Sequence, residues 1–382
     1  MTTTYADLGL RRVVNANATL TSLGGSLMPS PVLEAMREAS TSFVDMFELQ
    51  CAVSGRLAEL TRNDAALVTS GASAGLLVSA LGAMTGCDHR LLGRLLEHGA
   101  GALPRNEIVM HRAHRIPYDN VFTLAGAQIV EVGNALQTHR WELEAALGDD
   151  TAAIVYVAGT HLADGALKLD EVIEVAHEHG VTVIVDAAAQ LPPRENLWSF
   201  TEQGADLVVF SGGKELRGPQ ASGLVLGTAA SVTACELHAA PHQRFGRPAK
   251  VGKEELMGLL AAVELWLEQD HDAAATRIAR TTSNWVTAFS RLPGATATYE
   301  PRGEAGRPLP RIRLAWEPHL GFSSTAMVET LADEEPVVDV AVADRHAIWV
   351  SAELLTPEEE QLVSERIPAA FTSLARSHGR AS

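Results

Sequence analysis

The sequence predicts an α/β protein: a large domain with a mostly parallel sheet of the seven-stranded type between helices, then a small C-terminal α+β domain. Three observations predict it. Short apolar runs recur along the first two thirds of the 382-residue chain. Those runs are apolar throughout rather than alternating, so both faces of each strand are covered. Helical patterns separate several of them, the alternation that joins parallel strands by crossovers.

Taken in order, SPVLEAMREAS (30–40) has a Ser cap, a Pro in the first turn and apolar residues at helical spacing. AALVTS (65–70) reads as a buried strand, and SAGLLVSALGAM (73–84) as an apolar helix directly after it. EIVM (107–110), AQIVEV (127–132), AAIVYV (152–157), VTVIVD (181–186) and DLVVF (206–210) are further strands. WELEAAL (141–147) and LDEVIEVAHEHG (169–180) are helices between them. ASGLVLG (221–227) follows DLVVF too closely for a crossover helix, so an antiparallel pairing is expected. Near residue 252 the texture changes to two long helices, 253–270 and 272–292, then RIRLAW (311–316), PVVDVAV (336–342), HAIWVSA (346–352) and a last helix over 357–377. The expected organisation is an N-terminal arm over 1–30, a large domain over 31–268 and a small domain over 269–382.

The charge, 30 − 47 = −17, has the wrong sign for nucleic acid or an anionic membrane surface. Three cysteines without a C-x-x-C pair argue against a disulfide framework and for a reducing cytoplasm. The start, MTTTYADLGLRR, has no apolar core and does not read as a signal peptide, and no run has the roughly 20 apolar residues of a membrane span.

Four stretches carry chemistry. TSGASAG (69–75) sits at a strand-to-helix junction, where Gly71, Ala72 and Ser73 either cradle a phosphate against the helix N-terminus or make a tight turn. Asp186 ends VTVIVD, at the strand end where such sheets bind ligands; it either holds a ring nitrogen protonated or caps the next helix. SGGKELRGPQ (211–220) places Lys214 between glycines at a strand exit, as a Schiff-base lysine or a solvated turn residue, with Ser211 as a further phosphate donor. HRAHRIPYDN (111–120) follows EIVM and offers His114, with Tyr118 as the other aromatic, to stack on a flat ring. Jointly the four fit pyridoxal 5′-phosphate: an anion nest, a stacking ring, an acid for the ring nitrogen and an amine for the aldehyde. The histidine pairs 177/179 and 238/242 have metal-like spacing but no third ligand in a recognisable motif, so no metal is expected.

The chain resembles the branch of the aspartate-aminotransferase-like (fold type I) pyridoxal-phosphate enzymes that holds selenocysteine synthase (seryl-tRNA selenium transferase) and D-glucosaminate-6-phosphate ammonia-lyase. The resemblance rests on LGGS (23–26), FVDMFELQ (43–50), VTSGASAG (68–75), NEIVMHRAHRIPYDN (106–120), VDAAAQLPPREN (185–196), SGGKELRGPQ (211–220) and GRPAKVGKEE (246–255), and it looks closer to the ammonia-lyase group. It implies that Lys214 is the Schiff-base lysine and Asp186 the pyridinium partner. TRND (61–64), NANAT (15–19) and LLEHGAGALPR (95–105) depart from the group's pattern where substrate enters, so the exact substrate does not carry over.

The expected activity is α,β-elimination on an amino acid or amino sugar acid, releasing ammonia and a 2-oxo acid. Racemisation or epimerisation, aldol cleavage and transamination use the same parts, and a non-catalytic scaffold or sensor is the reading from a different class. The resemblance also implies a homodimer or an assembly of dimers. Arg313 is the first candidate for the substrate carboxylate, because RIRLAW alternates and places Arg311 and Arg313 on one strand face. A solvent-facing pair on an edge strand is the alternative, with Arg115 and Arg217 next in line and Tyr118 as a further substrate contact.

Overall fold

A computed structural model of the chain describes residues 3–379; residues 1–2 of the expected arm lie outside the described residues. The chain divides into two compact units, Ser26–Gln269 and a second formed by Met1–Gly25 with Asp270–Ser382.

The larger unit holds seven strands: β1 (Ala65–Thr69), β2 (Glu107–His111), β3 (Gln128–Val132), β4 (Thr151–Val157), β5 (Thr182–Asp186), β6 (Leu207–Ser211) and β7 (Gly223–Gly227). Their order across the sheet is β1-β7-β6-β5-β4-β2-β3. β7 runs antiparallel to both neighbours and every other pair is parallel, as the sequence led one to expect. The carboxyl ends of six strands therefore share one edge of the sheet, and β7 begins there.

The unbroken apolar runs explain the two-sided burial. Successive side chains of a strand point to opposite faces. Val109, Val183 and Val185 join one core with Leu256, Leu259 and Trp266, while Ile108, Met110 and Ile184 join the other with Leu76, Leu81 and Met84. Helix Lys253–Glu268 thus covers one face and helix Ala72–Thr85 the other. The second helix lies very close to the sheet: a Cβ on Gly75 would come within 2.7 Å of Val209 Cγ1.

The sequence did not mark helix Met46–Thr61, whose N-terminus Asp45 caps by accepting from the N–H groups of Phe47 (2.8 Å) and Glu48 (3.0 Å). Its Gln50, Cys51, Ser54 and Gly55 blur the apolar periodicity.

In the smaller unit four antiparallel strands lie in the order Ala341–Asp344, Ala347–Ser351, Arg311–Trp316, Ala295–Glu300. The single strand expected over 336–342 is two. Val337–Asp339 pairs in parallel with Val13–Asn15, which places that part of the N-terminal stretch within this unit rather than in a separate arm. Ile312 and Leu314 are fully buried against Trp285, Phe289 and Trp316, and Arg311 and Arg313 take the other face.

This unit also buries an ion pair: Arg307 donates to both carboxylate oxygens of Glu353 at 2.7 and 3.0 Å, with side chains 1% and 5% exposed. Removing Glu353 takes the bidentate carboxylate partner from a guanidinium that is only 1% exposed. Glu353→Ala is expected to cost about 3–5 kcal/mol, read as a lower denaturant midpoint; an unchanged midpoint would contradict the burial. Among the described residues no helix is long and apolar enough to cross a membrane.

Candidate active site

The shared sheet edge gathers residues far apart in sequence. Thr69 and Ser211 both stand opposite Gly223, and Asp186 stands between Val209 and Val157. The turn after β1, the end of β5 and the loop after β6 therefore lie side by side. With neighbouring strands about 4.8 Å apart, β1 and β5 are separated by roughly 14 Å.

After β1, Gly71 adopts φ 123° and ψ 163°, which side-chain-bearing residues rarely adopt, and a Cβ there would meet nothing within 4 Å. Helix Ala72–Thr85 starts from this glycine without a side-chain cap. The first N–H groups of a helix have no partner inside it, so they are available to an anion. Ala72 is half-buried and Ser73 exposed. The turn is held by Thr69 Oγ1 donating to the Gly71 carbonyl (2.9 Å) and Ser70 Oγ donating to that of Ala249 (2.9 Å).

The glycines flanking Lys214 have a packing reason. A Cβ on Gly212 would lie 2.1 Å from Ser222 Oγ, and one on Gly213 2.5 Å from Gln220 Oε1. The lysine loop folds against the return into β7, tied by Gly212 N–H to the Ser222 carbonyl (2.9 Å) and Gly218 N–H to that of Gly212 (2.8 Å). Ser26 adds two hydrogen bonds, from N–H and Oγ, to the Gly213 carbonyl, each 3.0 Å. Arg217 turns the loop in the left-handed region at φ 53° and donates from Nε to the Leu27 carbonyl (2.9 Å). Lys214 and Ser211 are half-buried at this edge.

Asp186 is only 8% exposed, and its Oδ1 accepts from Ala188 N–H at 3.0 Å. Burial pushes its pKa up, while the Ala188 N–H and the charge of Lys214 pull it down. A buried carboxyl of this kind is held ionised by a cation brought against it.

His114 does not present the open face that stacking needs. It is fully buried, its Nδ1 accepts from Val157 N–H (3.2 Å), and Tyr156 meets it edge-on with ring centroids 4.6 Å apart. His111, which the sequence reading passed over, is equally buried 5.0 Å away. Tyr118 is 65% exposed. Arg115 is engaged by Asp119 (Nε to Oδ2, 2.6 Å) and by Glu131. In the other unit Arg313 is paired with Asp344, whereas the Arg311 guanidinium lies over Trp349 at 4.0 Å with its buried Nε without a hydrogen-bond partner.

Burial holds several histidines neutral: His111 falls to about 4 and His238 to about 4, and His114 falls to about 3 with added repulsion from His111 and His161. In the unfolded chain each titrates near 6.5. Below that pH the unfolded state takes up protons that the folded state refuses. Stability should therefore fall from about pH 6.5 towards 4, by roughly 1.4 kcal/mol per pH unit for each of the three. Urea midpoints at pH 7.5, 6 and 5 check this, and a flat profile would contradict it.

The donor set fits pyridoxal 5′-phosphate: a helix start without a side-chain cap for the phosphate, a buried carboxyl for the ring nitrogen, and a lysine within electrostatic reach of that carboxyl. These features define a pyridoxal-phosphate-dependent enzyme of fold type I. The chain belongs to the L-seryl-tRNA selenium transferase family, whose model matches residues 13–284. It is 34% identical to D-glucosaminate-6-phosphate ammonia lyase of Salmonella typhimurium (strain 14028s / SGSC 2262) over 81% of each chain. A solved structure of D-glucosaminate-6-phosphate ammonia-lyase superposes with a TM-score of 0.82 at 30% identity, covering 99% of this chain and 100% of that one. This chain is also 34% identical to a 5′-C-glycyluridine monooxygenase-decarboxylase from a Streptomyces species, over 95% of this chain and 90% of that protein. A serine palmitoyltransferase from S. paucimobilis with bound PLP shares the fold, with a TM-score of 0.59 at 15% identity, covering 95% of this chain and 88% of that one.

The close approach of β7 to the glycine turn gives a further expectation. A Cβ at Gly223 would lie 2.4 Å from the Gly71 carbonyl carbon and 2.7 Å from the Ala72 nitrogen. Gly223→Ala should displace the turn and weaken cofactor binding roughly tenfold or more, a loss of about 1.4 kcal/mol. Cofactor titration checks it; parental affinity would mean the turn does not hold the phosphate.

Proposed function

We propose that the protein is an ammonia-lyase that removes the α-amino group and a β-hydroxyl from an amino acid or amino sugar acid, leaving a 2-oxo acid. The observation that carries this is the buried Asp186 carboxyl within reach of Lys214 at the ligand-binding edge of the sheet. The similarity to the ammonia lyase over most of both chains supports it.

When bound, pyridoxal phosphate supplies an electron sink for negative charge developing at the substrate's α-carbon. The N–H groups at Gly71–Ser73 would hold its phosphate. The Asp186 carboxylate would hold the ring nitrogen's proton, in the orientation that the Ala188 N–H gives it. Lys214 is the residue that would hold the cofactor's aldehyde; once displaced by the substrate's amine, its free amine would serve as the base for the substrate's α-proton. Packing of Gly212 and Gly213 against Ser222 and Gln220 fixes where that amine can reach. Loss of the β-hydroxyl as water, then hydrolysis of the resulting enamine, gives ammonia and the 2-oxo acid.

The protein works as a homodimer or an assembly of dimers. A panel of L- and D-β-hydroxy amino acids and amino sugar acids, assayed for ammonia and 2-oxo acid together, tests the activity. An inverted enantiomer, an aldehyde or a transaminated product instead would replace elimination with one of its alternatives. A second reading, oxidative decarboxylation, is favoured by the equal identity to the monooxygenase-decarboxylase over a larger share of both chains. Dioxygen uptake with carbon dioxide release on the same panel distinguishes it.

A further inference from the structure

The turn that carries Lys214 holds a residue in a sparsely populated backbone region. Arg217 adopts φ 53°, which side-chain-bearing residues enter at a cost and glycine enters freely. Arg62, also left-handed, caps the C-terminus of helix Met46–Thr61, where such a residue is common. Arg217 ends no helix. Its N–H donates to the Lys214 carbonyl at 2.9 Å, which closes a four-residue turn and keeps the two Cα atoms within about 7 Å.

The side chain is anchored too. Nε donates to the Leu27 carbonyl at 2.9 Å, and the preceding residue, Ser26, hydrogen-bonds the Gly213 carbonyl through both N–H and Oγ. The guanidinium therefore lies beside the segment that grips the residue before Lys214. Arg217 is exposed, and among the described residues its two Nη groups make no hydrogen bond or ion pair. Of the other arginines weighed for a substrate carboxylate, Arg115 is held by Asp119 and Glu131, and Arg313 by Asp344.

We infer that Arg217 holds the carboxylate of the substrate. This role rests on the proposed amino-acid substrate and not on which of its bonds breaks. An α-amino acid carries its amine and its carboxylate on one carbon. The amine takes the place of the Lys214 amine at the cofactor, so the carboxylate comes to rest close to the lysine turn. There the planar fork of Arg217 meets both carboxylate oxygens through two parallel hydrogen bonds. Because Nε is already tied to Leu27, little side-chain freedom is lost when the carboxylate arrives. The left-handed backbone fits the same role, as a local cost to folding kept where a ligand is held.

Spectral titration of the cofactor-loaded protein with L-serine, D-serine and ethanolamine tests the assignment. Ethanolamine keeps the amine and hydroxyl of serine and lacks the carboxylate. The cofactor's absorbance reports displacement of Lys214 without turnover. The parent is expected to bind one serine enantiomer at least about 30-fold more tightly than ethanolamine, the scale of a charge-assisted fork. Arg217→Gly should lose that preference while binding ethanolamine as the parent does, and Arg217→Lys should recover only part of it. Glycine suits φ 53°, so the cofactor-free Arg217→Gly protein should unfold at a urea concentration no lower than the parent's, which separates this role from a structural tie to Leu27. A parent without preference for serine, or an Arg217→Gly variant that keeps the preference, overturns the assignment. Equal weakening for serine and ethanolamine overturns it too, because the loss then belongs to the loop and not to the carboxylate. Absence of ammonia release, read separately, overturns elimination and leaves the role of Arg217 standing.

Discussion

Lys214→Ala is expected to abolish covalently held cofactor and to lower turnover at least about 10²–10⁴-fold, the contribution of a positioned proton-transfer group alone. The loop should survive the change, because contacts other than the amine hold its shape. Gly212 and Gly213 are fixed by contacts with Ser222 and Gln220, and Ser26 hydrogen-bonds the Gly213 carbonyl. Folding and oligomeric state should match the parent while the near-ultraviolet and visible absorbance of the bound cofactor is lost. An alanine variant that keeps that absorbance and its turnover would show that Lys214 is a turn residue.

Asp186→Asn should retain the cofactor and lose roughly 10²–10³-fold in turnover, the scale of removing one preorganised electrostatic group. The amide oxygen can still accept from Ala188 N–H, so the local geometry holds. What goes is the charge. Burial already works against ionisation of Asp186, and in the proposed role a cationic ring nitrogen would favour it. An uncharged amide cannot hold that proton, so the electron sink weakens. Parental turnover in Asp186→Asn would reduce the residue to a cap for the following turn.

The sheet was legible because its strands advertise themselves. VTVIVD and DLVVF are apolar on both faces, and the short span to ASGLVLG leaves room only for an antiparallel return. The position of Asp186, Lys214 and Gly71 at one edge of the sheet was legible for a related reason: each stands at or just beyond the end of such a run. Less visible was anything set by contacts across the chain. His114 looked like an accessible ring in a polar loop, but packing against Tyr156 and His111 closes it off. Arg313 looked like an uncommitted guanidinium until strand pairing brought Asp344 beside it. The parallel pairing of Val13–Asn15 with Val337–Asp339 spans more than three hundred residues, and three-residue strands leave no periodicity to read.

The central claim is that the edge formed by β1, β5 and β6 holds pyridoxal phosphate through Lys214. Borohydride reduction of the loaded protein, followed by peptide mapping, tests it most directly. The account predicts a single reduced pyridoxyl label on Lys214, within SGGKELRGPQ. A label on Lys168, Lys250 or Lys253, with Lys214 unmodified, would contradict it.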